Sequence, residues 1–218
     1  MTRSGSLLLL APAILLTAFR PEVRSDKVQL TMATLHAAAL TTSRAAGDST
    51  DAPFLVMTVS GLQPRLSAIL PDSGRSSIRA NQAVGVHSLT ELALAQGDSV
   101  QVLISVLENA TSRTPQTPSP TSAAKKSTAS ASQQLDEATR LVAPMVKDGA
   151  HWIGSASLLL TNEGGAIYWR RLDCVASCKV LNGPAAAALP STKGAPGVVE
   201  LSGSGGTYHL ALQANRTP

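Results

Sequence analysis

With 218 residues, 44% of them hydrophobic, the chain can bury the core of one sizeable domain, which excludes global disorder. Charged residues are only 15% of the chain, the formal net charge is +4, and aromatics are 3%. Basic residues are scattered, with Lys125-Lys126 and Arg170-Arg171 adjacent, so there is no basic stripe with stacking aromatics and nucleic-acid binding is not expected.

Met1-Thr2-Arg3 is a short basic start, Leu7 to Leu16 is apolar, and Thr17-Ala18 offers a small residue for cleavage. That anatomy predicts a secretory signal peptide over 1–18, since the apolar run is too short to span a bilayer. The remaining 19–218 are expected to form one domain, secreted to a periplasmic or extracellular location. No transmembrane segment is expected in that mature chain.

Lys27 to Leu40 opens with strict alternation, Val28, Leu30 and Met32 against Gln29, Thr31 and Ala33. Leu35 to Leu40 is rich in helix formers, but the neighbours are strands, and the reading favoured is a strand with a bend. Thr41 to Ala52 is polar and reads as a loop carrying Asp48 and Asp51. Pro53 to Ser60 is the next strand, closed by Gly61, and Arg65 to Leu70 is a short one between two prolines. Val84 to Leu94 supplies further strand-like pieces.

Val100, Val102, Ile104 and Val106 alternate with Gln101, Leu103, Ser105 and Leu107. One face is wholly apolar and the other half apolar, as in a central strand buried on both sides. Gly97-Asp98-Ser99 provides the turn before it, and Glu108-Asn109 ends it with polar groups.

Residues 110–150 read as an insertion. Thr111 to Gln134 is Ser, Thr, Pro and Ala with no large apolar side chain, so it cannot offset its ordering entropy and is expected to be flexible. Asp136 to Lys147 predicts a short helix with Leu135, Ala138, Leu141, Val142, Met145 and Val146 near helical spacing. Asp136-Glu137 at its start and Lys147 at its end suit the helix dipole, and Pro144 should shorten or kink it. It could cover an edge of the sandwich or serve as a tethered helix for a partner.

Ile153 to Leu160 has the length of the central strand and closes at Asn162-Glu163-Gly164-Gly165, a hairpin signal leading into Ala166 to Cys174. Cys178 to Leu181 follows, and Val198 to Leu201 with Thr207 to Gln213 predicts a terminal hairpin. The chain holds two cysteines, and in an exported protein Cys174 and Cys178 are expected to form a disulfide. A redox or metal pair would call for C-x-x-C spacing.

The fold class is therefore all-β, an antiparallel β-sandwich of about eight to ten strands with a helix-bearing insertion. The order of parts resembles calcium- and lipid-binding C2 domains in three short pieces, Asp51-Ala52-Pro53-Phe54, Leu107-Glu108-Asn109 and His151-Trp152-Ile153-Gly154. Ala52 stands where that family commonly has a second acid, Asn109 where it has Asp, and His151-Trp152 where it has an acidic pair. What the resemblance implies is a sandwich with loops gathered at one end and a degenerate calcium site there. Calcium needs six or more hard oxygen ligands, and Asp48, Asp51, Glu108, Asn109 and Asp148 are the strand-end candidates.

No catalytic motif is present: His36, His87, His151 and His209 lie in no H-x-x-x-H or H-E-x-x-H pattern, and there is no G-x-S-x-G elbow or phosphate loop. The expected function is an exported, non-enzymatic binding or structural module acting at an envelope, a cell surface or an extracellular partner. That partner would be a protein, a glycan or a lipid surface. The alternative is a secreted hydrolase with a dispersed site, which would gather a histidine with Ser or Asp within hydrogen-bond reach.

Overall fold

The computed structural model describes residues 25–41, 50–61, 66–70, 77–84, 87–109, 130–162, 167–182 and 197–216. The proposed leader, Asp48 and the stretch 110–129 lie outside the described residues. Thirteen strands and one helix are described, and the sheets are antiparallel. Three of the strands, β2 (Thr50–Asp51), β5 (Ile78–Arg79) and β6 (Ala83–Val84), are two-residue bridges.

The five-stranded sheet is built on the apolar runs the sequence singles out. In spatial order it comprises β10 (Ile167–Ala176), β9 (His151–Asn162), β8 (Ser99–Glu108), β3 (Pro53–Ser60) and β4 (Leu66–Leu70). β8 is its middle strand, with Val102 opposite Val59 on one side and Leu158 on the other. The β-branched side chains of β8 suit that central, doubly paired position.

The six-stranded sheet runs β11 (Cys178–Leu181), β12 (Gly197–Gly203), β13 (Gly206–Arg216), β1 (Ser25–Ala39). The far edge of β1 is shared. β7 (His87–Ala95) pairs with its first half and β6 with Leu35 and His36. Register shifts in the β1–β13 ladder between Met32 and Thr34 and between Ala37 and Ala39 give β1 its bends, and no helix forms over Leu35 to Ala39.

Between the sheets lies the main core. Leu35, Leu92, Val199, Leu201, Tyr208 and Leu210 face Leu55, Met57, Val102, Ile104, Ala156 and Leu158. Alternation explains this set: inward positions of each strand are apolar, and a one-residue slip would turn them all to the opposite face of their sheet.

The helix, α1 (Ala131–Lys147), covers the outer face of the five-stranded sheet, not an edge of the sandwich. Val142 and Met145 pack on Phe54, Val56, Ile69 and Leu107, and Ala138 and Leu141 on Leu103, Trp152 and Val175. The same face of β8 is completed by polar contacts. Gln101 Nε2 donates to Ser157 Oγ at 3.3 Å, and Ser157 Oγ donates to Gln134 Oε1 at 2.8 Å.

The helix differs from the sequence expectation in four details. The helix begins at Ala131, five residues before Asp136, because Ser130 caps it: its side chain accepts from Gln133 N while Gln133 Oε1 accepts from Ser130 N. Residues 131–134 are thus helix, capped by Ser130, and Gln134 is buried. Leu135 and Val146 lie outside the buried stripe, 42% and 44% exposed. Pro144 does not shorten the helix, which runs on to Lys147 and closes with Asp148 N–H donating to the Pro144 carbonyl.

Candidate functional site

Register brings several candidate calcium residues to one end of the sandwich. Glu108, the last residue of β8, lies between Pro53 at the start of β3 and His151 at the start of β9. Asn109 follows it and donates its N–H to the Ala52 carbonyl at 2.9 Å. Asp148 caps the helix three residues before His151. Asp51 therefore sits one residue from the hydrogen-bonded Ala52, on the same margin.

The side chains at this end differ in what they do. Asp51 lies in β2, not in a loop, and is 2% exposed. Its carboxylate accepts from Thr41 N at 2.8 Å, from Thr41 Oγ1 at 3.1 Å, and from the buried Tyr208 hydroxyl. Those bonds tie β2 and the end of β1 to β13, so the carboxylate is turned into the protein. Glu108 and Asn109 are also buried, whereas Asp148 is exposed. Among the described residues no three His, Cys, Asp or Glu side chains are grouped to hold an ion.

A second cluster, absent from the sequence expectations, lies on the outer face of the six-stranded sheet. His36 of β1 pairs directly with His209 of β13, which pairs with Glu200 of β12. His209 Nε2 is 3.1 Å from Glu200 Oε2, and the two histidine Nδ1 atoms are 3.4 Å apart. Burial holds His36 below the usual histidine pKa of 6.5, and the neighbouring His209 adds to this by charge repulsion. A hydrogen bond to the Asn81 backbone acts in the opposite direction. The ring that meets a carboxylate here has a second imidazole on its other side, not a Ser or Thr hydroxyl.

Spacing could not reveal this cluster, because 173 residues separate the two histidines. One signal was legible: His36 sits between inward Leu35 and Ala37, and His209 between inward Tyr208 and Leu210. Alternation alone puts both on outward faces. Their meeting also requires that the first and last strands pair.

Where the chain leaves β10 of one sheet for β11 of the other, Cys174 and Cys178 are at disulfide-bonding distance, with sulfurs 2.09 Å apart. Ser177 makes the corner with a positive φ of 47° and accepts from Ser202 N–H at 2.7 Å. No helix of the described residues is long and apolar enough to cross a membrane. Comparison of the chain with protein-family models and with curated proteins gives no match.

Proposed function

We propose that the chain is an exported, non-enzymatic binding or structural module, a C2-like sandwich that presents the loops at one end of its five-stranded sheet. The observation that carries this reading is the convergence of the β3, β8 and β9 termini with the helix C-cap, which brings Asp51, Glu108, Asn109 and Asp148 to one margin. A rigid scaffold with loops at one end is the usual platform for recognition, because the scaffold sets loop position while the loops vary. Export is supported by the leader-like start and by the cysteine pair at bonding distance, which suits an oxidising compartment.

A cation at the loop end would draw on Glu108, Asn109 and Asp148, since the Asp51 carboxylate already serves Thr41 and Tyr208. Thermal melting of the mature chain with and without Ca2+ tests this part. A calcium-dependent rise in melting temperature that Asp148→Asn removes supports it, and superimposable melting curves refute it. Export is tested by sequencing the N-terminus of protein recovered outside the cytoplasm, which should begin at Phe19.

A further inference from the structure

The geometry points to a site for a borderline divalent transition metal, Zn2+ in the first instance, held by His36 Nδ1 and His209 Nδ1 on the outer face of the six-stranded sheet. The inference is independent of the loop-end reading and uses none of its residues.

Three observations carry it. The ring centres are 5.5 Å apart and the Nδ1 atoms 3.4 Å, so the nitrogens lie between the rings and face each other. Two imidazole nitrogens on one tetrahedral zinc, each about 2.0–2.1 Å from the ion, are about 3.3–3.4 Å apart. The strand pairing thus sets the two ligands at the separation that a shared ion needs, with little rearrangement required on binding.

The second observation is Glu200. Its carboxylate meets His209 Nε2 at 3.1 Å, and a neutral ring that donates there leaves Nδ1 with a free lone pair. A carboxylate behind a ligating histidine is the usual device for fixing the tautomer and raising ligand basicity. Third, the His36 ring hydrogen-bonds to the Asn81 backbone in the sense that favours its protonated form, as an N–H donating to a carbonyl does. In the neutral ring, an N–H engaged there leaves the other nitrogen as an acceptor.

A histidine ligates as the neutral imidazole. The side chains of His209 and Glu200 keep 15% and 35% of their exposure, so the site opens to solvent and water can complete the coordination. Imidazole ligands suit zinc, copper and nickel, whereas calcium takes oxygen ligands.

Equilibrium dialysis of the full mature chain against Zn2+ at neutral pH, with Ca2+ in excess, tests the site. Wild-type protein should take up one Zn2+ per chain. His36→Gln and His209→Gln should each abolish that uptake, while His151→Gln keeps it. Glu200→Gln, a change at a partly exposed position that should not disturb folding, should weaken binding by about 10–100-fold. NMR signals of the His36 and His209 rings should shift on titration. No saturable uptake by the wild type, or uptake unchanged in both histidine variants, overturns the proposal.

Discussion

The Tyr208 hydroxyl donates to the Asp51 carboxylate inside the sandwich, joining the last strand to a two-residue bridge 157 positions earlier. Both residues are buried, Tyr208 completely and Asp51 to 2% exposure. Removing the hydroxyl in Tyr208→Phe takes one donor from a buried carboxylate, at a cost of about 1.5–3 kcal/mol. Asp51→Ala should cost more, because it leaves the Tyr208 hydroxyl and the Thr41 N–H without their acceptor. Urea denaturation of the double variant should show less destabilisation than the sum of the two singles.

The cap at Ser130 holds the first turn of the helix over the sheet. Ser130→Ala removes the side-chain acceptor for Gln133 N–H and should cost about 1 kcal/mol. Because Gln134 lies one residue further on and reaches Ser157, fraying should also release that contact. Hydrogen exchange at the first helical turn should accelerate in the variant while β8 and β9 keep their protection.

Lowering the pH should weaken the outer face of the six-stranded sheet. His36 titrates below 6.5, held down first by burial and then by His209, while Glu200 faces His209 and the Asn81 backbone faces His36. Between that depressed value and 6.5 the unfolded chain binds more protons than the folded one. The stability His36 contributes is therefore present above pH 6.5 and is lost as pH falls towards its folded pKa. Urea midpoints measured in metal-free buffer should fall across that window, and the fall should be shallower in His209→Gln, which removes the charge repulsion.

Reduction of the Cys174–Cys178 pair should have a modest effect, since the ring it closes is small. The chain-entropy estimate gives about 2 kcal/mol for a loop of this size. Mass spectrometry of protein purified without reductant should find no free thiol, and Cys174→Ser should lower the urea midpoint without altering the fold. The corner it spans tolerates little growth at Gly154, where a Cβ would lie 2.8 Å from the carbonyl oxygens of Ala176 and Ser177.

Strand-forming runs were legible wherever alternation was strong. Pro53–Ser60 and the core of β8 are strands where their apolar and β-branched content places them, because those positions are buried on both faces. The helix start is not legible in the apolar periodicity, although Ser130-Ala131-Ser132-Gln133 carries the capping-box spacing. Its low-complexity setting hid a local signal that decides where a helix begins. In the sequence Asp51 looks like a loop acid, because its partners, Thr41 and Tyr208, are brought to it by sheet pairing. The His36–His209 meeting was illegible for the same reason. Sequence periodicity reports which way a side chain faces, and only strand order reports what it faces.

The most direct test of the architecture is the pairing of β8 with β9, which sets both the two-sheet core and the face on which the helix lies. Cross-strand NOEs in isotope-labelled protein should link Val102 with Leu158 and Ile104 with Ala156. Their absence, with a helical pattern of contacts inside Val100 to Leu107 instead, would contradict the account.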